Sequence, residues 1–211
     1  MSEYGKIETL YERDLKTFKV QPGVLKNRVY GLLKSWHWTE KVDGTNIRCI
    51  WIPATDDTSE ILTFGGKTDN AQIHADLIKW LYATVTPEKM RAIFPDTPAV
   101  VYGEGYGAGI QKGGGDYSLM KKIIVFDVLV GTWWLSYENV CDVAWKLNLE
   151  VVPSFGEMTL EAATEFVRQG FKSKCALNPE KMAEGLVGRP LETLFDKKGH
   201  RLITKLKTKD F

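Results

Sequence analysis

The stretch KIIVFDVLV, residues 122–130, constrains this chain more than any other. A run so apolar and so rich in β-branched residues reads as a strand covered on both faces. Such a strand needs other strands beside it and a second layer above and below, so a layered fold follows. Asp127 sits inside the run, where an unpaired charge is costly, so a buried partner such as lysine or arginine is expected. Period-two alternation places Phe126 on the opposite side of the sheet from Asp127.

The rest of the chain reads as hairpins with interspersed helices. NIRCIWI (46–52) and ILTFGG read as a strand and its return. AVVYGEGYG starts as a strand and breaks into glycines, EVVPSF reads as one short strand, and QPG in the first 35 residues reads as a turn. EGLVGRP and HRLITKLK are the last two strands, joined by a turn in FDKKGH. Ile73, Leu77, Trp80 or Leu81, and Val85 follow helical spacing, with Asp69 or Asn70 as the cap. Thr86 caps a second helix with Pro87 at its first position. Ser136 starts a third helix, and Thr159 a fourth that stops at Gly170. Strict βαβ alternation is absent, which makes the class α+β.

Composition narrows the function classes. The 211 residues carry a formal net charge of +1, so nucleic acid would have to be held by a local basic patch, with KKGHR, KLKTK and RQGFKSK as candidates. No apolar run approaches the roughly 18 residues of a membrane span, and the charged N-terminus lacks a signal core. The three cysteines lack CxxC spacing and read as reduced thiols of a cytoplasmic protein. The three histidines are equally scattered, so a zinc site is not expected.

Several short motifs resist a purely structural explanation. YGEGYGAGIQKGGG has neither GxxxxGK[ST] nor GxGxxG, so it is no phosphate loop. Yet it holds Glu104 between glycines, where a carboxylate can accept bonds from a sugar hydroxyl. Lys205 and Lys207 are two apart, so on a strand both ammonium groups point to one face. They repel unless the face is solvated or an anion lies between them. TEKVDGTN places Lys41 and Asp43 beside Gly44, either a surface turn or the setting of a lysine nucleophile.

In order along the chain stand KVDG, a glutamate after glycine, Phe-Asp on an apolar strand, EGLV and KLK. This series resembles the motifs of covalent lysyl-nucleotidyltransferases, the polynucleotide ligases and capping enzymes. With KVDGTN, FGGKTDN and KLKTKDF it looks most like the RNA ligase 2 type of ATP-dependent RNA ligase, common in phages. The similarity spans residues about 38 to 211.

The resemblance implies an α+β ligase-type nucleotidyltransferase domain, with antiparallel β-sheets flanked by helices and the nucleotide in a central cleft. It implies that 1–211 is a single adenylation domain with no appended C-terminal domain. Lys41 would attack the α-phosphorus of ATP, releasing pyrophosphate. AMP would then pass to an RNA 5′-phosphate, and a 3′-hydroxyl would displace it in an RNA repair reaction. Holding a lysine neutral at pH 7 costs roughly 4–5 kcal/mol, which nearby cations and desolvation reduce. Lys205, Lys207 and Mg2+ or Mn2+ would supply positive charge at the α-phosphate.

By the same resemblance Glu104 binds a ribose hydroxyl, Phe126 stacks on adenine, and Glu40 reaches the purine through backbone groups. Glu184 and Asp43 serve the metal, and Asp43 also serves later steps. Asn46 and Arg48 contact phosphate or water. Lys67 stands where the family often has arginine, and lysine lacks the bidentate fork. Asp127 admits a structural or a catalytic role. A monomer is expected, with a partner protein as one source of extra RNA grip. The alternatives are a DNA nick ligase or guanylyltransferase of the same fold, or a non-catalytic RNA-end or nucleotide-binding module.

Overall fold

The computed structural model describes residues 3–211. In chain order the strands are β1 (Glu8–Thr9), β2 (Tyr11–Arg13), β3 (Val20–Leu25), β4 (Trp36–Glu40), β5 (Thr45–Ile52), β6 (Ile61–Gly65), β7 (Ala99–Tyr106), β8 (Lys122–Val130), β9 (Trp133–Trp134), β10 (Glu150–Val151), β11 (Ser154–Met158), β12 (Gly185–Pro190) and β13 (Thr204–Lys207). The helices are α1 (Ala75–Thr84), α2 (Pro87–Ile93), α3 (Tyr137–Leu147) and α4 (Leu160–Gln169). The class is α+β, as expected. No described helix is long and apolar enough to cross a membrane.

The chain forms two compact units. The first holds the residues up to Tyr4 and Asp43–Val152, the second Gly5–Val42 and Pro153–Phe211. In the first unit the sheet order is β10-β8-β7-β5-β6, with β9 also pairing β8. β5 to β8 pair antiparallel, while β10 runs parallel to β8, joined through α3 in a single βαβ unit. One face of the sheet carries Ile47, Cys49, Trp51, Val101, Ile123, Val125 and Val128. It packs with Leu77, Leu81, Met90 and Val140 of the helices. This alternation is the period-two pattern of a sheet with a helical layer on one face.

Three expectations change here for local physical reasons. β7 does not break at its glycines. Gly105 faces the core, where a Cβ would lie 2.7 Å from Leu77 Cδ2, so glycine permits close packing rather than ending the strand. α1 starts at Ala75 with His74 as its cap, because the Asp69 carboxylate is taken by the Arg48 guanidinium at 2.8 Å. Phe126 and Asp127 also fail to alternate. Tyr102 pairs with Asp127 but Gly103 pairs with Val125, so Phe126 is the extra residue of a β-bulge. The bulge shifts the core-facing set from Val125 to Val128 and puts Phe126 and Asp127 both off the core face. There Tyr4 meets both. Its hydroxyl donates to Asp127 Oδ2 at 2.7 Å, and its ring lies edge-on to Phe126 with centroids 5.1 Å apart. The buried carboxylate thus has a phenol among its partners.

In the second unit the order is β1-β13-β12-β4-β11, with β2 and β3 forming a separate hairpin. Trp36, Trp38, Leu186, Leu206 and Leu202 pack with Leu160, Ala163 and Val167 of α4. α2, α3 and α4 begin at Thr86, Ser136 and Thr159, whose hydroxyls accept from backbone N–H groups three residues on. QPG lies within β3, on an exposed hairpin where Pro22 removes no buried ladder bond and Gly23 takes φ 90°. EVVPSF is split at Pro153, β10 joining one sheet and β11 the other.

Gly185 begins β12 with φ 152°, and a Cβ there would lie 1.9 Å from the Leu206 carbonyl oxygen. Gly185→Ala therefore forces β12 from β13 and costs more than the roughly 1–3 kcal/mol of backbone strain alone. A thermal melt should show a clear fall in Tm. Gly5→Ala, with nothing within 4 Å and no positive φ, should leave Tm unchanged or slightly raised.

Candidate active site

Three strands of the second unit bring the principal charged groups together. Lys41 follows β4 directly, and its backbone N–H donates to the Gly185 carbonyl at 2.9 Å, continuing the ladder with β12. Gly185 pairs with Lys207 and Val187 with Lys205. Glu184 precedes β12, and its carbonyl accepts from Thr208 N–H at 2.9 Å. Lys41, Glu184, Lys205 and Lys207 thus gather at one end of three adjacent strands although they lie far apart in sequence.

Their contacts are short. Glu184 accepts from Lys41 Nζ at 2.6 Å through Oε2 and pairs with Lys207 Nζ at 2.7 Å through Oε1. All three side chains are mostly withdrawn from solvent, with exposures of 21%, 17% and 20% for Lys41, Glu184 and Lys207. Burial alone would push the Glu184 carboxyl up. The charge of Lys41 and the hydrogen bonds from Lys207 and Lys41 outweigh it and hold the group below its usual range. Lys205 responds in the opposite way. Burial, then the charges of Lys207 and Lys41, bring it down to about 8. Two ammonium groups therefore bond one carboxylate and a third amino group stands close enough to feel their charge, leaving an excess of positive charge suited to a polyanion.

Glu40 is built differently. It alternates with Lys41 and is 1% exposed. Its carboxylate accepts from Ser173 Oγ, from Lys174 N–H at 2.8 Å and from Cys175 Sγ at 3.4 Å. Burial, then the nearby Glu40 charge, pushes the Cys175 thiol up to about 12. The residue before Lys41 is therefore an anchor that ties β4 to the 173–175 segment. No local sequence signal marks Ser173, which lies 133 positions away.

The first unit places other expected residues on the sheet face away from its core. Asn46 and Glu104 lie directly opposite each other on β5 and β7, both half-buried. Asn46 Oδ1 is buried with no hydrogen-bond partner, an acceptor waiting for a donor such as a hydroxyl. Gly44 is needed for close approach, since a Cβ would lie 2.2 Å from the Gly105 carbonyl oxygen. Phe126 stands at the bulge, half-buried. Arg48 is 1% exposed and donates to the Gly66 carbonyl and Asp69 at 2.8 Å each, so it holds the loop on which Lys67 is exposed. Asp43 is half-buried in this unit, whereas Lys41 belongs to the other. Sequence reasoning also missed Tyr4, whose only signal was the unexplained Asp127.

No group of three or more His, Cys, Asp or Glu among the described residues is arranged to hold a metal ion. Both Glu184 oxygens are already occupied by ammonium groups. With two lysines on one carboxylate, the cluster presents positive charge that suits an anion.

The low pKa of Lys205 has a measurable consequence. Free Lys205 loses its proton as pH rises through about 8. A bound polyanion favours the charged form, so binding above that pH takes up a proton and weakens as pH rises. Below it Lys205 is charged in both states and no linkage remains. Calorimetry of pyrophosphate binding near pH 8.5, in buffers of different ionisation enthalpy, should show proton uptake in the wild type and less in Lys205→Met. Equal uptake in both would refute the assignment.

Comparison with known proteins gives the family and the fold. The model of the RNA ligase family matches residues 34–207. No curated protein matches the chain. Among solved structures, a Naegleria gruberi RNA ligase mutant with ATP and Mn is 16% identical with a TM-score of 0.62, covering 96% of this chain and 61% of that one. The Naegleria gruberi RNA ligase with PPi is 18% identical with a TM-score of 0.58, covering 97% and 61%. An apo mutant of a Naegleria gruberi RNA ligase is 18% identical with a TM-score of 0.60, covering 96% and 60%. At these identities the likeness establishes a shared fold, and the chain spans about three fifths of those structures' length. With the family match covering most of its length, the chain is a member of the RNA ligase family.

Proposed function

We propose that the chain is an ATP-dependent RNA ligase with Lys41 as its nucleophile. The observation that carries this reading is the Lys41–Glu184–Lys207 cluster, with Lys205 beside it in the ladder. It combines a lysine nucleophile, a carboxylate that orients it and an excess of positive charge for phosphates. Family membership and the shared fold support it, as do relatives solved with ATP and Mn, and with PPi.

In the first step Lys41 Nζ, having released a proton to solvent, attacks the α-phosphorus of ATP. A P–N bond forms, the α–β P–O bond breaks, and pyrophosphate leaves with the electron pair. Glu184 holds the Lys41 amine in place before attack, and the positive charge of Lys205 and Lys207 offsets charge growing on the phosphate oxygens. Glu184 would also serve a divalent metal ion, which would supply further positive charge at the phosphates. From the family resemblance we assign Glu104 and Asn46 to ribose hydroxyls and Phe126 to the base. Arg48 and Glu40 act by positioning, with Lys67 and Asp43 available for phosphate or for the later steps. An RNA 5′-phosphate then takes AMP from Lys41, and a 3′-hydroxyl displaces AMP to seal the strand. The setting we assign is RNA repair in a cytoplasm, bacterial or phage-infected, by a monomer.

The test uses ATP labelled at the α-phosphate with magnesium. Label should remain on denatured wild type, be absent from Lys41→Ala, and not be matched by labelled GTP. Adding 5′-phosphorylated RNA should move the label to RNA. Label with GTP alone would point to a guanylyltransferase. No label with either nucleotide and any metal would remove the catalytic reading and leave a binding module. Glu184→Ala should lower Tm, because Lys41 and Lys207 lose their counter-charge, and should keep no more than about a hundredth of the wild-type labelling rate, the scale of losing an orienting group.

A further inference from the structure

Between β12 and β13, residues 191–203 form a small hairpin that the adenylation chemistry does not use. It is well anchored. Leu202 is buried in the second unit's core, Leu194 packs against that core, and Leu202 N–H donates to the Leu194 carbonyl at 2.7 Å. Phe195 bridges to Arg201, Asp196 N–H donates to the His200 carbonyl at 2.8 Å, and Gly199 takes φ 77° at the turn.

The charge at its tip is net positive, two lysines against one carboxylate. The Asp196 carboxylate accepts from Lys198 and His200 N–H at 2.8 and 2.9 Å, and its other oxygen lies 3.4 Å from His200 Nδ1. The acid is thus spent on shaping the turn. Lys197 and Lys198 project into solvent beside it, and Phe195 is 52% exposed. A single exposed aromatic is ordinary on a protein surface. An ordered tip with an aromatic ring and adjacent lysines matches what binds single-stranded nucleic acid, a stacking surface with cations for the backbone.

The strands also set a distance. Lys41 bonds to Gly185, and Pro190 lies five positions further along β12. At about 3.4 Å per residue, the hairpin base is roughly 17 Å from the nucleophile end. With roughly 3.4 Å of rise per nucleotide, that is about five nucleotides of stacked strand.

We propose that this hairpin is a second RNA contact, with Phe195 stacking on an unpaired base and Lys197 and Lys198 holding phosphates several nucleotides from the end engaged at Lys41. This rests on the RNA ligase reading and adds a length requirement to it.

The probes are single-stranded 5′-phosphorylated oligoribonucleotides of about 3 and about 15 nucleotides, titrated against wild type, Phe195→Ala and the double variant Lys197→Ala, Lys198→Ala. Phe195→Ala should bind the long probe about five- to a hundredfold more weakly and the short probe within about twofold of wild type. The double variant should lower the slope of log affinity against log salt for the long probe by about 1.4. RNA-free labelling at Lys41 and Tm should match wild type in both. Unchanged affinity for the long probe, or equal loss for both lengths, overturns the hairpin contact. Because labelling needs no RNA, its loss in wild type marks failure of the ligase reading, and normal labelling without a length effect marks failure of the hairpin alone.

Discussion

The Glu184 carboxylate, held between Lys41 and Lys207 at 2.6 and 2.7 Å, is the contact on which the functional geometry depends. Three partly buried charges this close are tolerated only in a fixed arrangement, because removing one leaves the others uncompensated. The backbone supplies that arrangement. The β4–β12 and β12–β13 ladders align Lys41, Gly185 and Lys207, and Gly185 permits the close approach of β13. The same arrangement leaves Lys205 in a cationic neighbourhood that lowers its proton affinity. The excess of ammonium groups over carboxylate makes this end of the sheet favourable to an anion.

Around this cluster much of the polar chemistry serves position. Glu40 and Arg48 are charged, almost wholly buried, and spent on holding segments of chain. Asp127 is of the same kind, tied to Tyr4. Buried charges of this sort persist where geometry has to be kept, since each is costly unless well bonded. Asn46, half-buried with an orphaned oxygen, differs from them and is assigned to substrate.

The α2, α3 and α4 starts were legible because a hydroxyl cap is a local device, as were the β8 bounds because an apolar run is local. Lys205 and Lys207 share a face because the strand period is two. The failures share a cause. α1 begins late because Asp69 pairs with Arg48, 21 residues earlier. Phe126 and Asp127 do not alternate because β7 and β8 differ by one residue in register, a property of the pair rather than of either strand. β7 survives its glycines because Leu77 and Ile47 pack where side chains would have been.

By itself the sequence determined the α+β class, most element positions and the family, because caps, periodicity and an ordered set of motifs are written in consecutive residues. Only the tertiary structure decided that Glu184 is closed by two lysines, that Glu40 is anchored by Ser173, and that a bulge puts Phe126 and Asp127 off the core face. Each depends on strand register or on partners more than 100 positions apart or in different strands, and these become neighbours only when the sheets assemble.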